Sequence, residues 1–186
     1  MAFEIMIREE DPRLQDIRQL LAASDAYSMA LYPEEGRHPV DVEFLASSRV
    51  RFFVARLNGQ PVGCVALATS GDGAAELKRM IVLPQTRGRG VGWSLLKRAE
   101  AAAAEDGVDT IRLETGPLNR EAISLYRRHG YSSRGPFGTY EAGPHSVFFE
   151  KAVAEGHQMA PPVPGLRERV LQAMPAQRNP FAEDPE

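Results

Sequence analysis

Cysteine is almost missing from this chain of 186 residues: Cys64 is the only one, so no internal disulfide can form. The four histidines, His38, His129, His145 and His157, are too scattered for a metal motif, and no metal is expected. No apolar run approaches the roughly 20 residues of a membrane-spanning helix. The amino terminus, Met-Ala-Phe-Glu, lacks the basic and apolar regions of a secretory signal. Neither sign of charge prevails, since 22 Lys+Arg stand against 25 Asp+Glu for a net −3. That balance excludes a chain-wide basic surface, so neither nucleic acid nor membrane is expected as a partner, and a cytoplasmic protein is. Internal repeats are lacking as well.

What is present suits one globular domain: 43% hydrophobic and 25% charged residues, over a length that buries one core but not two. Phe3 to Arg8 reads as a first strand. Asp11-Pro12 opens a helix with Leu14, Ile17, Leu20 and Leu21 on one stripe, and Asp25 to Leu31 reads as a second short helix ended by Tyr32-Pro33. Val40 to Ser47 suits a further turn or two of helix. The apolar runs 51–57 and 61–69 flank Asn58-Gly59, a strong hairpin signal, and Ser70 to Gly73 leads into a third antiparallel strand, Ala75 to Leu83. A helix over Val91 to Glu105, a strand over Thr110 to Thr115, a helix over Arg120 to His129 and strands at Tyr131–Arg134 and Ser146–Lys151 complete the domain. The expected fold is a mixed α/β sheet of about seven strands, mostly antiparallel, with one parallel βαβ pair and helices on both faces. The domain should span residues 1–152. From 153 to 186 the chain changes character, with Pro161, Pro162, Pro164, Pro175, Pro180 and Pro185 among its 14 prolines. That stretch reads as an appended, partly disordered or docked arm, with one helical segment at Leu166–Met174 and an Asn179-Pro180-Phe181 tripeptide read as chance. A homodimer is left open.

Gln85 to Gly92 organises the whole. A strand stops at Pro84, then Gly88, Gly90 and Gly92 alternate with larger residues before the alanine-rich helix. Alternating glycines let backbone N–H groups approach a ligand, and the helix start adds unpaired N–H groups and a positive dipole end. Arg87 and Arg89 add charge, so the loop suits a phosphate or pyrophosphate; an ordinary glycine turn with solvated arginines is the other reading. A nucleotide-triphosphatase loop is excluded because Gly92-Trp93-Ser94 has no lysine, and a dinucleotide fingerprint is disfavoured by the GxGxG spacing. The strand ending near Glu114 and the turn to Asn119, expected to cap the next helix, should open on the same sheet edge. Ala122, Leu125, Tyr126 and His129 share one face of that helix, which turns Tyr126 toward the sheet, either as packing or as a site residue.

Gln85-x-x-Gly88-x-Gly90 after a strand, followed by Asn119-x-x-Ala122-x-x-Leu125-Tyr126-x-x-x-Gly130-Tyr131, resembles the Gcn5-related N-acetyltransferase (GNAT) superfamily. ELKRM, LETG and GPFGTY are similar to a bacterial small-molecule acetyltransferase subgroup. The resemblance implies acetyl-coenzyme A as co-substrate, with its pyrophosphate on the N–H groups of Arg87, Gly88, Arg89, Gly90, Val91, Gly92 and Trp93. It implies that the parallel strands splay and that the pantetheine arm pairs with Met80, Ile81 and Val82 and reaches Asn119. Tyr126 matches the position that protonates the leaving thiolate. Glu76 and Glu114 are candidate bases, each equally readable as an exposed strand residue, Glu76 beside Lys78 and Glu114 beside Arg112. Tyr27, Tyr32, Phe137 and Tyr140 are candidate walls of an acceptor pocket, or loop aromatics packed on the core. The expected activity is acetyl transfer by direct attack of a primary amine of a small molecule or amino acid. Alternatives are acetylation of a protein N-terminus or lysine, and a catalytically silent coenzyme A-binding module.

Overall fold

The computed structural model describes residues 4–34 and 40–153. The arm beyond residue 153, its helical segment and its tripeptide lie outside the described residues, as do Phe3 and the loop over 35–39.

Seven strands form one sheet: β1 (Ile5–Glu9), β2 (Val50–Leu57), β3 (Gln60–Thr69), β4 (Ala74–Val82), β5 (Thr110–Thr115), β6 (Ser132–Arg134) and β7 (Val147–Ala152). Their order is β1-β2-β3-β4-β5-β7-β6, and every neighbouring pair is antiparallel except β4 with β5. Asn58 and Gly59 both take positive φ, 50° and 80°, as a tight hairpin turn requires, and bring Leu57 opposite Gln60. The β4–β5 connection passes through α3 (Val91–Glu105).

Period-two alternation divides the strands between two cores. Phe53, Ala55, Val65, Leu67, Leu77, Ile111 and Leu113 pack on α3, whose stripe Val91, Leu95, Leu96, Ala99, Ala102 and Ala103 is buried. Ala122, Ile123, Leu125 and Tyr126 of α4 (Arg120–Arg128) join that core. On the opposite face Phe52, Val54, Cys64 and Ala66 meet Ile17, Leu20 and Leu21 of α1 (Gln15–Leu31) and Leu45 of α2 (Val42–Leu45). Helices therefore cover both faces.

Two expectations change at the amino-terminal end. The two helices expected between Asp11 and Leu31 are one, because Ala22-Ala23-Ser24 holds no breaker and alanine is the best helix former. That helix starts at Gln15, since the Asp11 carboxylate instead receives the Arg13 N–H at 2.9 Å in a tight turn.

Parallel pairing runs only from Ala74↔Thr110 to Leu77↔Leu113. Beyond it β5 stays with β7 through Thr115↔Val147, whereas Lys78 to Val82 continue along β3 without a β5 partner. The cause is visible in the β3 register. Cys64 opposes Ile81 but Ala66 opposes Lys78, so β4 carries an extra residue here, and Arg79 within it has φ 54°. Such a bulge bends and twists its strand, which turns β4 away from β5 where the sheet opens.

Candidate active site

The opening is bounded by the end of β4, the glycine loop, the end of β5 and α4. A short 3-10 turn, Pro84–Thr86, carries the chain from β4 to Gly88 (φ 74°) and Gly90 (φ 81°). These left-handed conformations favour glycine, and a Cβ on either would meet nothing within 4 Å. Gly92 is needed for a different reason, since a Cβ there would lie 3.2 Å from Leu125 Cδ2, so it sets the approach of α4 to α3. Gly90 is the residue before the first helical turn and offers no capping side chain; Ser94 N–H donates to Gly90 O at 3.0 Å. The N–H groups of Val91, Gly92 and Trp93 thus start the helix without intrahelical partners, a ready anion site.

A cleft of about 1180 Å³ follows from this opening. Along one wall it is lined by Met80, Ile81 and Val82, and at one end by Arg87, Gly88, Gly90, Val91, Gly92 and Trp93. Asn119 and Tyr126 line the α4 side; Glu76, Glu114, Tyr32 and Tyr140 line the other end, and Tyr27 lies beside Arg87. Arg89 and Phe137 lie outside the lining. Phe137 packs instead behind Tyr140 and Phe148, with ring centroids 5.1 and 5.9 Å away.

Tyr126 is buried at 4% exposure between Tyr131 and Phe149, with ring centroids at 5.7 and 6.2 Å. Burial, then the Glu114 charge, push its phenol well above the ordinary value, so it stays protonated at neutral pH. The Glu114 charge also raises the phenols of Tyr32 and Tyr140, behind burial as the main cause. At the same end Glu76 Oε1 accepts from Lys78 Nζ at 2.7 Å and from Tyr140 Oη at 2.6 Å, while Lys78 also donates to Tyr140 at 2.9 Å. Arg112 pairs with Asp72.

Tyr32 anchors one cleft wall: its hydroxyl accepts the Leu118 N–H at 2.9 Å, joining α1 to the β5–α4 turn. Tyr27 is 42% exposed, with the Arg87 guanidinium 5.5 Å above its ring. Arg87 also reaches Glu121 at 3.0 Å and donates from Nε to Val82 O at 3.2 Å, so it spans the glycine-loop end of the cleft. Asn119 occupies the position before α4 but makes no side-chain cap; its Nδ2 donates to Thr115 Oγ1 at 3.2 Å, which ties the turn to β5.

Sequence reasoning missed three features. Arg79 in its bulge is one, and the Arg87–Glu121 bridge is another. The third is the union of Glu76, Lys78 and Tyr140. The charged pair in ELKRM hinted at the last, but nothing local to the sequence signals the bulge.

A sheet that separates between two parallel strands beside a glycine-led helix is a mixed α/β architecture found in solved acyltransferases. The family model described as the Acetyltransferase (GNAT) family matches residues 15–131, and the chain belongs to that family. It is 42% identical to an "IAA acetyltransferase" of Azospirillum brasilense over 148 residues, 79% of this chain and 97% of the relative. A crystal structure from Klebsiella pneumoniae assigned to the acyl-CoA N-acyltransferases is 35% identical with a TM-score of 0.70, covering 81% of this chain and 98% of that one. The PaiA N-acetyltransferase of Thermoplasma acidophilum, solved in complex with coenzyme A, shares the fold at 19% identity and a TM-score of 0.60, over 80% of this chain and 99% of that one. Among the described residues no helix is long and apolar enough to cross a membrane.

Proposed function

We propose that this GNAT enzyme moves the acetyl group of acetyl-coenzyme A to the primary amine of a small molecule. The observation that carries the reading is the opening between β4 and β5, which joins the uncapped start of α3 to a cleft containing Tyr126, Glu76 and Glu114. The residues present fit the ligand. N–H groups of Gly88 and of Gly90 to Trp93 suit its pyrophosphate, whereas the Arg87 N–H, expected among them, donates to Pro84 O at 3.3 Å and Arg89 lies outside the cleft lining. The β5-facing edge at Met80, Ile81 and Val82 suits the amides of its pantetheine arm, and Asn119 bounds that channel. Bound there, acetyl-coenzyme A supplies an activated acyl group on a thiol leaving group.

The chain's own groups divide the remaining work. Tyr126 holds a proton at its hydroxyl, kept there by burial, and donates it to the sulfur as negative charge develops on the departing thiolate. Glu114, whose charge reaches three phenols of the cleft, takes the proton of the incoming ammonium at its carboxylate. Glu76, with Oε1 already accepting from Lys78 and Tyr140, orients the acceptor. Tyr32 lines the same end of the cleft, Tyr140 braces it through Glu76, Phe137 supports Tyr140 from behind, and Tyr27 lies under Arg87 toward the glycine loop. Holding amine and thioester in register supplies much of the acceleration, and no nucleophilic side chain is required. Cys64 is fully buried on the opposite core, with its thiol pushed up to about 12 by burial, and takes no part.

Thiol release from acetyl-coenzyme A across amines, amino acids and short peptides tests the reading. Turnover on a small amine is the expected result. Binding without turnover on any acceptor would contradict it and favour the silent module, and turnover on peptides alone would favour protein acetylation.

A further inference from the structure

Arg79 differs from the other well-bonded arginines of the fold. Arg13, Arg51 and Arg56 each turn the edge formed by Nε and Nη2 toward a carboxylate, those of Asp11, Glu9 and Glu10. Arg79 is bonded through Nη1 alone, to Asp25 of α1. Its Nε is buried with no hydrogen-bond partner, and its Nη2 donates to no described residue. Yet the side chain is only 11% exposed, and Arg79 lines the cleft. A guanidinium so placed carries a poorly solvated charge that an anion bound on its cleft-facing side would offset. Arg112 also has a buried, unpartnered Nε, but it does not line the cleft.

The backbone supplies a second observation. Arg79 is held at φ 54°, a left-handed conformation that disfavours residues with a side chain. The strain places a cation at the opening of the sheet, where an ordinary strand residue would continue the pairing. Neighbouring cations are already committed, Lys78 to Glu76 and Tyr140, Arg87 to Glu121. Ser24 and Ser28, one turn apart on α1, add hydroxyls to the same cleft. The part of the guanidinium that faces the cleft can donate to a carboxylate oxygen, and a neutral amine alone would leave that charge without an anion there.

We propose that the acceptor is an aminocarboxylic acid whose carboxylate docks on the cleft-facing side of the Arg79 guanidinium while its amine lies beside Glu114. The inference rests on the acetyl-transfer reading above and adds its substrate class. Two readouts test it: kcat/KM for thiol release, and the thermal shift given by each acceptor with coenzyme A present. The acceptors are α-amino acids each paired with its carboxamide, together with β-alanine and γ-aminobutyrate for longer spacings. For the best acceptor the carboxylate should exceed its carboxamide by roughly 100-fold in kcat/KM, since a site built for a polar group discriminates against its absence. Only carboxylates should raise Tm. Arg79→Gly suits the positive φ, so it should fold and keep its acetyl-coenzyme A affinity but lose the carboxylate preference; Arg79→Lys should retain part of it. Equal rates for carboxylate and carboxamide, or an unchanged ratio in Arg79→Gly, would overturn the inference and leave acetyl transfer standing. Failure of the wild type to bind acetyl-coenzyme A would overturn both.

Discussion

Tyr126 gains its proposed role from its surroundings. A phenol titrates near 10 in water, and burial beside Glu114 raises it further, so the proton is retained until negative charge develops on the departing sulfur. Replacing it by phenylalanine removes one oxygen from a packed ring without vacating the space. Tyr126→Phe should lower kcat by about 100-fold or more while the Kd of acetyl-coenzyme A stays close to wild type, read by stopped-flow thiol release and calorimetry. Unchanged kcat would remove the phenol from the reaction. Gly116 makes a second residue-scale prediction. A Cβ there would fall 2.2 Å from Tyr32 Cζ and Oη, and Tyr32 is held by its bond to Leu118 N–H. Gly116→Ala should cost about 1–3 kcal/mol in urea unfolding, as overpacking does, and raise the acceptor KM by displacing that wall. The Gly116 constraint was not legible beforehand, because Tyr32 and Gly116 meet only through the fold, whereas the spacing of α4 already turned Tyr126 toward the sheet.

At the scale of elements, the carboxyl-terminal half was the more legible. The ends of α3 and β5 fall where glycines and the apolar period put them, Gly90 before Val91 and Gly107 before Thr110, and the Asn58-Gly59 turn fixed the β2–β3 pair. Local chemistry settled these because each boundary carries its own breaker. The long α1 was read as two helices because its stripe weakens after Leu21, although no residue there breaks a helix. The bulge at Arg79 could not be read from ELKRMIV, since it arises from the mismatch of β4 against β3, and with it went the cleft-lining place of the Arg79 guanidinium. Loop to helix is the junction most open to test. Gly90→Ala imposes a Cβ at φ 81°, at a cost of about 1–2 kcal/mol, and should distort the first N–H groups of α3. Acetyl-coenzyme A affinity should fall at least about tenfold, the equivalent of 1.4 kcal/mol. Gly135→Ala, in a loop with open space around it and an ordinary φ, should change neither stability nor affinity.

Across the whole molecule, buried acids set the pH limits of stability. Burial raises the phenols of Tyr126, Tyr131 and Tyr140, and holds the Cys64 thiol at about 12 rather than 9.0. On unfolding these groups return to 9.0 for the thiol and 10.0 for the phenols, so above those values the unfolded chain binds fewer protons than the native one. Stability must then fall as pH rises, beginning near 9 and steepening above 10, by up to about 1.4 kcal/mol per pH unit for each group. Urea midpoints should be level from pH 7 to 8 and clearly lower at 10.5; a level profile to pH 11 would contradict the burial of these groups. The two cores, one under α1 and α2 and one under α3 and α4, fix the sheet between them and leave the β4–β5 opening as the place where the molecule meets its ligand. Backbone hydrogen exchange with and without acetyl-coenzyme A tests that claim most directly. Amides at Met80 to Val82 and Arg87 to Trp93 should become protected together on binding; protection elsewhere with no change at these two segments would contradict the account.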